Sequence, residues 1–154
     1  MSSPSFDTQT AREREQLWQQ VSRNRPPMSC DLDAYPAPLC QYAKTVGLLD
    51  GSPAFSAVRF RQIGQFRPNP KAGWSAMRAE EVLRTDPPAF VWITQIKAGP
   101  LTIRGRDKYI DGEGEMWIKP PVVRGAVSRG PELTQGSFTR WVAECMWLPT
   151  ALFG

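Results

Sequence analysis

Four carboxylates stand close together in this chain: Asp107, Asp111, Glu113 and Glu115. Acids that converge can share general acid–base work, and oxygen donors in that number can hold a divalent cation. Other chemistries are narrower. The chain has 154 residues and no histidine, which excludes Ser-His-Asp and Cys-His catalysis and every His-ligated metal site. Its cysteines are Cys30, Cys40 and Cys145, with no C-x-x-C pair. That pattern suggests neither a zinc site nor a disulfide framework, and it fits reduced thiols in the cytoplasm.

Whether the acids converge depends on the element that carries them. Asp111-Gly112 between alternating segments predicts a two-residue type I′ turn, in which both residues need positive φ. Ile110 then faces Glu113, Tyr109 faces Gly114, Lys108 faces Glu115, Asp107 faces Met116 and Arg106 faces Trp117. Side chains alternate across a strand. Ile103, Asp107, Tyr109, Met116 and Ile118 therefore share one face, the core or cavity side. Arg104, Arg106, Lys108, Glu115 and Trp117 share the other, which reads as wet. Asp107 and Glu115 point apart, so no common carboxylate or metal site is expected. The turn accounts for Asp111 and Glu113, and Lys108 for Glu115. Asp107 keeps two readings: a satisfied structural acid bonded to a backbone N–H or an arginine, or a polar anchor inside a ligand cavity.

The chain around this hairpin divides into residues 1–33, a tail, a helix and a Pro-rich linker, and residues 34–154, a sheet-rich domain. Thr10 and Glu13 have capping-box spacing, predicting a helix from there to about Arg23 that packs weakly or serves as an arm. Its Arg12–Glu15 run reads as a solvated face. Leu39, Tyr42, Ala43 and Val46 predict a short amphipathic helix closed by Gly47. Phe55–Phe66 alternates as a strand. Arg67–Trp74 is a basic turn-rich loop that, with Arg59 and Arg61, is the best candidate for an anion-binding patch. No nucleic-acid module accompanies it, and no nucleic-acid partner is expected. Arg78–Arg84 reads as one or two helical turns stopped before Pro87-Pro88. Phe90–Lys97 is a strand covered on both sides, and Val122–Val127 resumes a strand after Pro120-Pro121. Gly130-Pro131 reads as a stop, followed by a helix over Ser137–Trp147 whose apolar stripe packs on the core.

Net charge is +4, from 19 basic and 15 acidic residues, a surplus that permits an anionic partner without requiring one. No apolar run reaches the length of a membrane span, and the amino terminus lacks an apolar leader.

Several motifs together resemble the bacterial domain-of-unknown-function family numbered six-five-four-four. They are Tyr35-Pro-Ala-Pro-Leu39, Phe60-Arg-Gln-x-Gly64-x-Phe66, Thr85-Asp-Pro-Pro-x-Phe-Val-Trp92, Arg106-Asp-x-Tyr109-x-Asp111-Gly112-x-Gly114-x-Met116, Gly130-Pro-Glu-Leu133 and Trp147-Leu-Pro-Thr-Ala-Leu152. The resemblance runs from about Ala34 to the end of the chain. It implies an α+β fold: a curved, mostly antiparallel sheet with helices packed on one face, similar to the half-barrel of LolA-like lipoprotein carriers. It implies no activity and supplies no catalytic residues. Members of the family continue with further strands, so the resemblance also implies that this chain is the amino-terminal half, an incomplete half-barrel with a bare sheet edge.

Three functional classes follow. A binding module would hold a hydrophobic or lipid-like ligand against Trp92, Ile103, Tyr109, Met116 and Ile118, with Asp107 as polar contact; core packing alone is the plainer account of those residues. A structural or self-associating protein would pair through its exposed edge as a homo-oligomer, and a truncated domain without independent function belongs to the same class. An enzyme is disfavoured, because no catalytic constellation is present, and no cofactor or metal is expected.

Overall fold

Asp111 and Gly112 take positive φ, 53° and 79°, the left-handed pair that a type I′ turn demands. The hairpin they close has the expected register at every pair, from Ile110 opposite Glu113 to Arg106 opposite Trp117. The computed structural model describes residues 5–19, 26–29, 31, 34–123 and 125–153. The helical extension to Arg23, much of the linker and Cys30 lie outside the described residues.

The sheet is a six-stranded antiparallel meander in sequence order: β1 (Ala57–Phe66), β2 (Ser75–Thr85), β3 (Pro88–Ala98), β4 (Leu101–Ile110), β5 (Glu113–Lys119) and β6 (Ala126–Arg129). It is open, so β1 and β6 are edges. With helices α1 (Phe6–Gln19), α2 (Ala37–Thr45) and α3 (Pro131–Glu144), the fold class is α+β, as expected.

Several local expectations are corrected. Residues 78–84 are the interior of β2, not helical turns. Pairing with β1 and β3 on both sides overrides their weak helical preference, and Asp86-Pro87 lies in the β2–β3 turn. Gly130-Pro131 starts α3 rather than stopping a strand, since proline suits a first helical turn. That helix ends at Glu144, and Cys145–Trp147 continues as a 3-10 turn. α1 begins at Phe6, with Ser5 Oγ accepting the Thr8 backbone N–H at 3.3 Å; Thr10 lies inside the helix and is buried.

α1 is also no loose arm. Leu17 packs with Val82, Ala89 and Val91, and Phe6 meets Trp117 edge-on at 4.6 Å. The hairpin face expected to be wet is therefore covered. Glu13 accepts hydrogen bonds from Arg106 at 2.6 Å and Lys108 at 2.9 Å, Arg106 also pairs with Glu115, and Arg129 pairs with Glu115. The Arg106 guanidinium is fully buried. A strand face rich in charge can be buried when its cover brings the opposite charges.

The opposite, inner face holds Leu83 and Phe90 with Leu148, flanked by Val58, Phe60, Trp92, Tyr109 and Trp141. α3 lies on this face, and the Trp141 indole N–H is anchored on the Arg84 carbonyl at 2.8 Å. A third cluster joins α2 to the carboxyl-terminal segment through Ala43, Leu48, Met28 and Phe153.

α3 approaches β5 closely at Gly114, where an added Cβ would lie 2.8 Å from Thr134 Cα and 2.8 Å from Ser137 Oγ. Gly114→Ala is expected to lower the urea-unfolding free energy by about 1–3 kcal/mol, because backbone as well as side chain must give way. Gly64→Ala, with nothing within 4 Å, is the control and is expected to be neutral or stabilising by up to about 1 kcal/mol.

Candidate functional site

Antiparallel register places Phe60, Glu81, Trp92, Asp107 and Met116 in one row across the inner face. Glu81 and Asp107 thus flank Trp92 from the two neighbouring strands. Arg140 of α3 closes the space above them. Its Nη1 donates to Asp107 Oδ2 at 2.7 Å and its Nε to Glu144 Oε1 at 2.8 Å, while Nη2 reaches Glu81 Oε1 at 3.5 Å. Its guanidinium carbon lies 4.8 Å from the ring centroids of both Phe90 and Trp92. Trp92 Nε1 donates to Gln62 Oε1 at 2.8 Å, and the Gln62 amide donates to Glu81 Oε2 at 3.3 Å. One cation therefore serves three acids in a largely dry layer.

Burial decides how those acids ionise. It pushes the fully buried Glu81 carboxyl up to about 9, helped by a hydrogen bond with Glu144 and opposed by Arg140. Two carboxyls can hydrogen-bond only if one carries a proton. Glu144 Oε2 is itself buried without another hydrogen-bond donor. Burial also raises Asp107, against the pull of Arg140. For Arg140 burial acts to lower the guanidinium, but Glu81, Glu144 and Asp107 together outweigh it and raise it. Cys145, beside this layer, is raised to about 11, chiefly by burial, so it stands as a protonated thiol. At neutral pH Glu81 therefore holds a proton beside the positively charged Arg140 guanidinium.

Asp107 and Arg140 also line a cavity of about 720 Å³. Its walls are the inner-face side chains Trp92, Ile96, Ile103, Met116 and Ile118, and its rim is the β1–β2 loop with Pro68, Ala72 and Trp74. Arg67 stacks over the Trp74 ring at 4.7 Å. Of the residues singled out in the sequence, Trp92, Ile103, Asp107, Met116 and Ile118 meet at this cavity. Tyr109 does not: it packs in the core with Leu83 and Phe90 and against Phe138, ring centroids 5.7 Å apart.

The other acids are dispersed, as the register required. Asp111 and Glu113 are exposed at the turn, and Glu115 is on the reverse face with Arg106. Among the described residues no group of three or more His, Cys, Asp or Glu is placed to hold a metal ion. Arg59 and Arg61 do not extend the basic loop into one patch. Glu80 lies 3.7 Å from Arg59 and 3.3 Å from Arg61.

Sequence reasoning missed Glu81, Arg140 and Glu144. Glu81 was hidden by the helical reading of β2; on a strand, alternation with Leu83 turns it inward. Arg140 and Glu144 were visible as an i,i+4 pair opposite the apolar stripe of α3, a position that ordinarily means solvent.

Residues 26–154 match a family model described as a family of unknown function (DUF6544), and the chain belongs to that family. No curated protein and no solved structure matches it. No helix among the described residues is long and apolar enough to cross a membrane.

A carboxyl whose pKa is raised by folding binds more protons folded than unfolded, so its contribution to stability is present at low pH and is lost as pH rises toward the folded value. For Glu81 that window runs from the ordinary carboxylate range to about 9. Unfolding free energy is expected to fall across it by up to about 1.4 kcal/mol per pH unit. Glu81→Gln keeps a donor and cannot ionise, so its urea-unfolding profile over the same range is expected to be flatter.

Proposed function

We propose that this member of a family of unknown function is a binding module that holds a hydrophobic or lipid-like ligand between the inner sheet face and the β1–β2 loop. The observation that carries this reading is the cavity itself. Its volume of about 720 Å³ lies within the roughly 300–1,000 Å³ of small-molecule sites. Its walls are mostly apolar, with Asp107 and Arg140 among the few polar residues that line it. The contact residues are Trp92, Ile103, Asp107, Met116 and Ile118, with Trp74 at the rim in place of Tyr109. The half-barrel of lipoprotein carriers, implied by the sequence resemblance, would use a sheet face in the same way. A cytoplasmic setting belongs to this proposal and is supported by Cys145, which stands as a buried thiol.

The test is binding of dodecan-1-ol, an uncharged apolar probe, followed by native mass spectrometry and by tryptophan emission, since Trp74 and Trp92 both line the site. One bound molecule per chain with an emission shift is expected. Ile103→Trp fills the cavity and is expected to weaken binding by about tenfold or more, an apolar contact loss of roughly 1.4 kcal/mol. Equal binding to the variant, or none to the parent chain, would overturn the reading.

A second reading, self-association, is supported by the edge strand β1, whose ten residues pair on one side alone and carry Ile63 at 84% exposure. An unpaired edge with an exposed apolar residue is a template for another strand. Light scattering on a size-exclusion column is expected to show mass rising with concentration, and Ile63→Lys is expected to return the monomer. A monomer at all concentrations rejects it.

A further inference from the structure

We propose that one end of the sheet is a docking surface for an anionic lipid bilayer, with basic side chains among the headgroups and apolar tips in the interfacial layer. This goes beyond the cavity reading and stands whether or not the cavity holds a ligand. The surface borders the cavity at Trp74, Ala98 and Ile118, so a docked chain would bring the cavity to a source of lipid-like molecules.

Three observations carry it. First, charge is sorted by strand end. In this antiparallel meander the β1–β2, β3–β4 and β5–β6 connections share one end of the sheet. Segments 66–78, 95–104 and 117–123 at that end hold Arg67, Lys71, Arg78, Lys97, Arg104 and Lys119 and no Asp or Glu. The connections at the opposite end carry Asp86 and Asp111 and no base. Second, the register aligns part of the basic charge. Arg78, Gln95, Arg104 and Lys119 form one row across β2 to β5, on the face that α1 covers elsewhere. Asp7 of α1 pairs with Arg104. Among the described residues the other five basic side chains make no ion pair, so their charge is available to an anionic partner. Third, exposed apolar side chains stand at the same end: Trp74 on the β1–β2 loop at 60% exposure, Leu101 at the start of β4, Ile118 near the end of β5, and Val122 beyond it at 81%. Arg67 stacks on Trp74, joining both kinds of group in one contact. Apolar tips beside clustered Lys and Arg fit a membrane interface, where the tips enter the headgroup–acyl boundary and the cations stay with the phosphates. A nucleic acid would meet the charge, and its bases could stack on Trp74, but it offers no apolar phase to Leu101 and Val122.

The test is co-sedimentation of the full chain with vesicles of equal parts phosphatidylcholine and phosphatidylglycerol, against vesicles of phosphatidylcholine alone. Binding to the mixed vesicles is expected to be tighter by about tenfold or more and to weaken as salt is raised. The triple variant Lys71→Gln, Lys97→Gln, Lys119→Gln, checked for folding by circular dichroism, is expected to lose about tenfold or more, from up to about fivefold per basic residue. Leu101→Ser with Val122→Ser is expected to cost about tenfold through lost apolar burial. No binding to the mixed vesicles, equal binding to both compositions, or full binding by the lysine variant overturns the proposal. Oligothymidylate serves as the soluble polyanion. If it binds as tightly as the mixed vesicles and the serine variant binds both unchanged, the partner is not a bilayer. The two vesicle compositions are compared on the parent chain, so the result holds even if a variant does not fold. Loss of vesicle binding with dodecan-1-ol still bound overturns the docking surface alone, and the reverse result overturns the cavity reading alone.

Discussion

A single guanidinium, Arg140, makes the inner layer of this protein possible. Three carboxyls from three elements, Glu81 on β2, Asp107 on β4 and Glu144 on α3, come together out of water there, and each alone would carry a large desolvation cost. Arg140 offers a planar fork of donors that can reach several acceptors at once, and its faces rest on Phe90 and Trp92. It thereby pins α3 to the sheet and fixes the side of Trp92 that lines the cavity. Protonation of Glu81 reduces the charge imbalance that remains. The layer is therefore held by one cation and one retained proton, and both depend on the same burial.

The reverse face solves the opposite problem. There Arg106, Lys108 and Arg129 gather around Glu13 and Glu115, so basic groups exceed acids. Adjacent residues of β4 feed the two clusters: Arg106 and Lys108 point one way and Asp107 between them points the other. The two faces consequently differ in kind, with acids outnumbering bases beneath α3 and bases outnumbering acids beneath α1. A one-residue slip of β4 would exchange these side chains between faces, and the tight Asp111-Gly112 turn guards against it.

That turn is also why so much was legible in the sequence. Two residues with one favoured conformation set the register of β4 and β5, and alternation then sorted Asp107, Met116 and Ile118 onto the cavity side. What could not be read were partners distant in sequence. Nothing local to Glu13 says that it meets Arg106, and nothing local to Arg140 says that it meets Glu81, 59 residues away. Charge on a strand face was taken for solvent because its cover, α1, is itself highly charged. Tyr109 was placed on the right face but at the wrong depth. Alternation gives the side of a sheet, while position along the strand decides whether helix or cavity covers it.

Because each strand pairs with its neighbour in the chain, every hairpin of the sheet closes through a short connection, and loop-closure entropy is modest at each step. The covers are different. The contacts of α1 with β4 span more than ninety residues, as in Arg106 to Glu13 at a separation of 93. Topology thus divides assembly into inexpensive local zipping and costly long-range docking. Until both covers dock, the two charged rows of β4 stand in water, where they are well solvated and disfavour collapse onto the wrong face. The same groups that complicate burial in the finished protein act during folding as address labels, telling each helix which side of the meander is its own.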